Sequence, residues 1–119
     1  MFRYANVNPN NANINDCTIR AISVAEGISW DEAYEKLSIQ ARRRGLMMDS
    51  VEFIEYYLNK NYHKICPRYE ITVGEFLEKH SHGIYLITMK GHITVIKNGI
   101  LFDTFDCRNR KMWCAWKVI

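Results

Sequence analysis

The dipeptide Asn98-Gly99 constrains the fold of this chain more than any other feature, because it joins two runs of β-forming residues. An Asn-Gly pair in this setting is the strongest short signal for a β-hairpin with a two-residue turn. The run before it covers residues 91–97, the run after it residues 100–103, and a similar run lies at residues 84–89. We therefore predict three consecutive antiparallel strands, in which facing residues across the hairpin have numbers that sum to 197, as 98 and 99 do.

Ahead of these strands, apolar residues recur at every third or fourth position, which is typical of amphipathic helices. A first helix is predicted from Cys17 to a stop at Gly27, with Asp16 as its N-cap. A capping box that begins at Ser29 opens a second helix, which ends near Gly45.

Two more helices follow. The third begins after Asp49 or Ser50 and loses its pattern at Asn59. The fourth is short and is opened by a second capping box at Thr72, ending at about His80. Because the helices come first and the antiparallel strands second, the sequence predicts an α+β domain.

The remaining segments complete one predicted domain over residues 1–119. Residues 69–71 predict a short extended piece, and residues 111–119 a final strand with two tryptophans. We expect both of these, Trp113 and Trp116, to pack against the core and the sheet faces. The apolar content of 48% and the charged content of 24% are those of a soluble globular domain large enough for its own core.

Charge and hydropathy bear on the partners and the location. The formal net charge of +3 is too small to indicate a nucleic-acid-binding protein. No apolar run approaches the roughly 18 residues that a membrane span needs, and residues 1–6 lack the apolar core of a secretion signal. We therefore expect a cytoplasmic protein that binds neither nucleic acid nor membrane.

Four cysteines lie at positions 17, 66, 107 and 114. Without a secretion signal we expect the thiols to be reduced rather than paired in two disulfides. The spacings His63-x-x-Cys66 and His80-x-His82 are only fragments of a zinc site, and two cysteines seven residues apart do not form the tight pair of a structural one. The sequence predicts no metal and no cofactor.

Cys17 has the local setting of a nucleophile. A loop that contains Pro9 and is rich in asparagine leads into the predicted first helix. Cys17 lies in the first turn of this helix. Free N–H groups and the helix dipole stabilise a thiolate there and lower the pKa of the cysteine. Arg20, one turn later, can bind a carboxylate, either that of Asp16 or the terminus of a substrate, and is interpreted as one half of a structural ion pair.

The hairpin register supplies two partners for that thiol. Position 105 faces His92, so Asp103 lies diagonally from His92, two residues along the strand and on the same face. A carboxylate there can accept a hydrogen bond from one imidazole nitrogen and leave the other nitrogen to take a thiol proton. The predicted catalytic roles are nucleophile for Cys17, general base and then acid for His92, and orienting group for Asp103. Asp106 is the alternative orienting group, because a bulge would shift the register.

The segments that contain Cys17, His92 and Asp103 resemble those of a known protein family. The pattern NDCTIRAIS at residues 15–23, followed by GHITVIKNGILFDTFD at residues 91–106, resembles the papain-like cysteine peptidases. It is similar above all to compact bacterial and phage-encoded members and to bacteriocin-leader peptidases. The resemblance implies a papain-like fold of helices packed on an antiparallel sheet, with a shallow groove between them. It also implies cleavage of a peptide or isopeptide bond in a protein or peptide substrate.

One position departs from the family pattern. These peptidases usually carry a glutamine six residues before the cysteine, whose amide helps to bind the oxyanion. That position is Asn11 here, with Asn10 and Asn13 as substitutes. The same triad also serves deamidases and acyltransferases, and a papain-like fold without turnover can act as a protein-binding module. These alternatives stay open at the level of the sequence.

Overall fold

The structure, a computed structural model, describes all residues from Met1 to Ile119 and contains four helices and six strands. The helices are α1 (Cys17–Glu26), α2 (Trp30–Arg44), α3 (Val51–Asn61) and α4 (Val73–Lys79). The strands are β1 (Phe2–Tyr4), β2 (His63–Ile65), β3 (Ile84–Met89), β4 (His92–Lys97), β5 (Ile100–Asp103) and β6 (Cys114–Lys117). The predicted α+β class is therefore confirmed.

The six strands form one mixed sheet in the order β1-β5-β4-β3-β6-β2. Strands β3, β4 and β5 are the predicted antiparallel meander, and β6 returns beside β3. The predicted hairpin register is confirmed, because Val95 faces Phe102 and Lys97 faces Ile100. The turn holds Asn98 and Gly99 at φ values of 50° and 79°, a left-handed conformation that asparagine and glycine tolerate.

Most of the predicted helix ends are confirmed. Ser29 and Thr72 form complete capping boxes, and Ser50 caps α3. Gly27 and Gly45 end α1 and α2, each with a φ of 68°. At both positions the backbone N–H bonds back to the last turn of the helix, which explains the glycine because this conformation strains other residues.

The two edge strands and the bounds of the last strand differ from the prediction. Strands β1 and β2 were not predicted, since each has only three residues and lies at an edge of the sheet, where apolar alternation is weak. The extended piece expected at residues 69–71 is not a strand; next to it, Thr72 makes only an isolated bridge to Lys111. The last strand is shorter than expected and begins at Cys114.

The core has two layers, one on each face of the sheet. Alternate residues of β3 point to opposite sides: Leu86 packs with α1, α2 and α3, whereas Tyr85 and Ile87 pack with α4. Trp116 is fully buried in the three-helix layer, as expected. No helix combines the length and the apolar character that crossing a membrane requires.

The expectation that all four thiols are reduced is wrong for two of them. Cys66 and Cys114 form a disulfide, while Cys17 and Cys107 are free. The cause is strand pairing that the sequence did not reveal: Ile65 at the end of β2 faces Ala115 in β6, and each has one of these cysteines as its neighbour.

Candidate active site

Cys17 is the first residue of α1, as predicted, and its half-buried side chain lines a pocket beside the start of β4. The predicted cap of this helix is wrong in one respect. Asp16 occupies the N-cap position, but its side chain makes no hydrogen bond to the backbone of the first turn. Its carboxylate accepts hydrogen bonds from other side chains instead.

His92 opens β4, and the structure brings it together with Asp103. The Nε2 atom of His92 lies 2.7 Å from Oδ2 of Asp103, and the two side chains are only 6% and 3% exposed. This hydrogen bond leaves Nδ1 of the imidazole for the thiol of Cys17. The ring of Phe105, itself partly exposed, packs on His92 with its centroid 4.7 Å away and screens the hydrogen bond.

The second oxygen of Asp103 has its own partners. Oδ1 accepts hydrogen bonds from the backbone N–H of Thr104 at 2.7 Å and from Nη1 of Arg20 at 3.2 Å. Arg20 also donates from Nε to Oδ1 of Asp16 at 2.7 Å, which confirms the structural ion pair predicted for it. The other oxygen of Asp16 accepts from Trp30 at 2.8 Å and from Asn8 at 3.2 Å.

These contacts set the pKa values at the site. Burial acts to raise the pKa of the Cys17 thiol, but hydrogen bonds from His92 and from the backbone N–H of Ile93, with the nearby positive charges, outweigh it and lower this pKa. Burial acts to lower the pKa of His92, but the hydrogen bond to Asp103, with the neighbouring thiols of Cys107 and Cys17, raises it. The pKa of Asp103 is lowered despite its burial, chiefly by the hydrogen bond from His92. All three directions favour a thiolate beside an imidazolium.

Cys107 is a neighbour of the triad that the sequence did not single out. It is completely buried, and its thiol lies 4.0 Å from Oδ2 of Asp103. The donor atoms of His92, Asp103 and Cys107 lie within 4.8 Å of one another and are of kinds that zinc accepts. Two ligands of a tetrahedral zinc would, however, be about 3.4 Å apart. The 2.7 Å between His92 and Asp103 is the length of a hydrogen bond and leaves no place for an ion.

A pocket of about 500 Å³ opens in front of Cys17 and His92, between the helices and the end of the sheet. Its wall is mainly apolar and includes Ile14, Tyr34, Met47, Val51 and Trp113. Trp113 is 52% exposed and forms part of this wall, so the prediction that it packs in the core is wrong. It precedes β6 rather than lying within it, which is why strand periodicity did not apply.

Asn11, the predicted oxyanion donor, lies apart from the residues that line the pocket. Asn11 is exposed in the loop before α1, has a φ of 50° and does not line the pocket. The alternative orienting group is placed clearly: Asp106 is exposed and forms a surface ion pair with Arg108. Asp103, not Asp106, contacts His92.

Comparison of this chain with protein-family models, with curated proteins and with solved structures finds no match.

Proposed function

We propose that this protein is a cysteine-dependent hydrolase of papain-like type that cleaves a peptide or isopeptide bond in a protein or peptide substrate. The observation that carries the proposal is the hydrogen bond between Nε2 of His92 and Oδ2 of Asp103, next to a thiol at the start of a helix. The lowered pKa of Cys17 and the raised pKa of His92 support it, because both favour the reactive ion pair at neutral pH.

The proposed reaction has two stages. The thiol proton of Cys17 resides on Nδ1 of His92, and the thiolate attacks the substrate carbonyl carbon, forming an S–C bond and a negative oxygen. The C–N bond then breaks, the leaving amine takes the proton from His92, and a thioester remains on Cys17. In the second stage His92 takes a proton from water while the water oxygen attacks the thioester carbonyl carbon. The C–S bond then breaks, the carboxylic acid product leaves, and the Cys17 thiolate is restored beside the protonated His92.

Asp103 acts throughout as the orienting group. By accepting from Nε2 it holds the imidazole so that Nδ1 faces Cys17, and its negative charge stabilises the imidazolium. The oxyanion of the first stage lies near the start of α1, where backbone N–H groups and the helix dipole offer positive potential. Asn11 is the proposed side-chain donor, which the protein would have to bring toward the pocket.

The pocket supports a substrate with a bulky apolar group. Its volume of about 500 Å³ is within the range of pockets that hold small molecules or peptide side chains, and its wall is largely apolar. Both Cys17 and His92 line it, so a chain lying in the pocket has its carbonyl group within reach of the thiol.

A second candidate function is a protein-binding module that keeps the triad without turnover. The exposed apolar residues around the pocket favour it, because such a patch is typical of an interaction surface. A deamidase or an acyltransferase would use the same triad and would differ only in the nucleophile that enters the thioester.

The test is iodoacetamide labelling of the native protein from about pH 5 to 9, with each cysteine followed by mass spectrometry. We expect Cys17 to label fastest, with a midpoint well below the ordinary value of about 8.5. In His92→Ala the midpoint should rise, and each unit by which it lies above neutral pH lowers the thiolate fraction there about tenfold, since only the thiolate reacts.

His82→Ala is the matched control, because this exposed histidine lies before β3, at the end of the sheet away from His92. It should leave the midpoint unchanged. If Cys17 labels with the midpoint of an ordinary thiol in the wild-type protein, the hydrolase proposal fails and the binding module takes its place.

A further inference from the structure

We propose that Arg20 is a positioning residue that locks the nucleophile's helix to the strand that orients the base, so that Cys17 and His92 stay in register. This inference rests on the proposed function and adds a residue to it. It is based on the observation that the guanidinium group of Arg20 binds two carboxylates at the same time. One belongs to Asp16, which precedes Cys17, and the other to Asp103, which accepts from His92.

The two ends of this bridge belong to different parts of the fold. Asp16 precedes α1, whereas Asp103 ends β5. Nε of Arg20 donates to Asp16 at 2.7 Å, and Nη1 donates to Asp103 at 3.2 Å. The planar guanidinium fixes the directions of both donors, so the two carboxylates are held at a set separation.

The two carboxylate oxygens of Asp103 bind different partners. Because Oδ1 is held by Arg20 and by the N–H of Thr104, the carboxylate cannot rotate without losing hydrogen bonds. Oδ2 therefore stays directed at His92. Without Arg20, one of these restraints is lost and the imidazole can turn away from Cys17.

The three side chains of this bridge are largely buried, unlike those of an ordinary surface ion pair. The side chain of Arg20 is 12% exposed, and those of Asp16 and Asp103 are 2% and 3% exposed. The charged groups that face one another here are Asp16, Arg20, Asp103 and His92, with the Cys17 thiolate at the edge. Arg20 is the cation that lies between the two buried carboxylates, and its charge also favours the thiolate.

Arg20→Gln tests the proposal, with the Cys17 labelling profile as the readout. We expect the midpoint to move to higher pH, and the thiolate fraction at pH 7 to fall about tenfold for each unit by which the midpoint then lies above 7. Arg20→Lys keeps the charge but not the two fixed donor directions, so it should recover only part of the loss.

Glu26→Gln is the matched control. Glu26 lies on the same helix, its side chain is also 12% exposed, and it pairs with Lys36 at the opposite end of α1 from the site. This variant should lower stability without moving the Cys17 profile, which separates positioning from a general loss of packing.

Two results would overturn the proposal while leaving the hydrolase proposal intact. One is a folded Arg20→Gln protein with the wild-type midpoint and rate. The other, decisive if the glutamine variant does not fold, is an Arg20→Lys protein whose profile equals that of wild type, because charge alone would then suffice. An ordinary midpoint for Cys17 in the wild-type protein would instead refute the proposed function itself.

Discussion

Nε2 of His92 and Oδ2 of Asp103 lie 2.7 Å apart although the two residues do not face each other in the hairpin. The register places Asp103 opposite Thr94, so the contact with His92 is diagonal. Diagonal neighbours on one face of an antiparallel pair are about 7–8 Å apart at their backbones, a span that a histidine and an aspartate bridge together. The orientation of the base is thus fixed by strand geometry.

This geometry predicts that Asp103 and Asp106 differ sharply when each is changed to asparagine. Asp103→Asn removes the negative charge that supports the imidazolium, and we expect the midpoint of Cys17 labelling to move to higher pH. Asp106→Asn breaks only an exposed pair with Arg108 and should leave both stability and the labelling profile nearly unchanged. Equal effects of the two substitutions on the labelling profile would contradict the assignment of Asp103.

The buried carboxylate of Asp16 predicts a dependence of stability on pH. Despite its burial, hydrogen bonds from Arg20, Trp30 and Asn8 lower its pKa below the ordinary value of 3.8. A lowered folded-state pKa means that the stabilisation is complete above pH 3.8 and is lost as the pH falls through the folded-state value.

Asp16→Asn should therefore cost about 3 kcal/mol at pH 7, since it leaves Arg20 with one buried partner fewer. The difference from wild type should shrink as the pH is lowered below 3.8. Urea denaturation of both proteins between pH 2.5 and 7 measures it. A difference that stays constant over this range would show that the charge of Asp16 is not what stabilises the fold.

The position of Trp113 in the pocket wall predicts that its removal affects the binding of a peptide probe but not the reactivity of Cys17. The side chain of Trp113 is 52% exposed, so Trp113→Ala should lower the free energy of unfolding by only about 1–2 kcal/mol, less than truncation of a fully buried aromatic side chain. Labelling of Cys17 by iodoacetamide should be unchanged. Labelling by a short peptide chloromethyl ketone with a leucine side chain should slow by about tenfold, because such a probe needs the apolar wall of the pocket. Tyr69→Ala is the control, since Tyr69 is 78% exposed and lies outside the pocket.

The disulfide between Cys66 and Cys114 predicts a large effect of reduction on stability. The bond closes a loop with a sequence separation of 48 residues. In the chain-entropy description a loop of this size contributes about 4 kcal/mol. The double variant Cys66→Ser/Cys114→Ser should lose about that amount in urea denaturation, and wild-type protein in dithiothreitol should match it.

Thiol counting in freshly isolated protein adds a check on location. Disulfides of this kind are typical of oxidising compartments, so two reactive thiols per denatured chain would argue against the predicted cytoplasmic location, and four would support it.

Local signals in the sequence account for much of this fold. The Asn98-Gly99 turn, the capping boxes at Ser29 and Thr72, and the glycine stops of α1 and α2 each act within a few residues, and all are found where they were predicted. Because the hairpin register follows from its turn, the contact between His92 and Asp103 could also be predicted.

Features that depend on distant pairing could not be read in this way. Strand β1 binds β5 and β2 binds β6, and in three-residue strands nothing local identifies the partner. The disulfide follows from the second of these pairings, and the position of Arg20 between Asp16 and Asp103 depends on how α1 crosses the sheet. Cys107 reaches the triad through a loop whose path has no sequence signal.

The parallel pairing of β1 with β5 has a consequence for the timing of synthesis. Phe2 pairs with Leu101, so β1 is made about a hundred residues before its partner. At about 5–20 residues per second, that interval is roughly 5–20 seconds. The helices can form during this time, but β1 stays unpaired until β5, the strand that carries Asp103, has been made. Until then a nascent chain carries the thiol of Cys17 without the partners that are proposed to make it reactive.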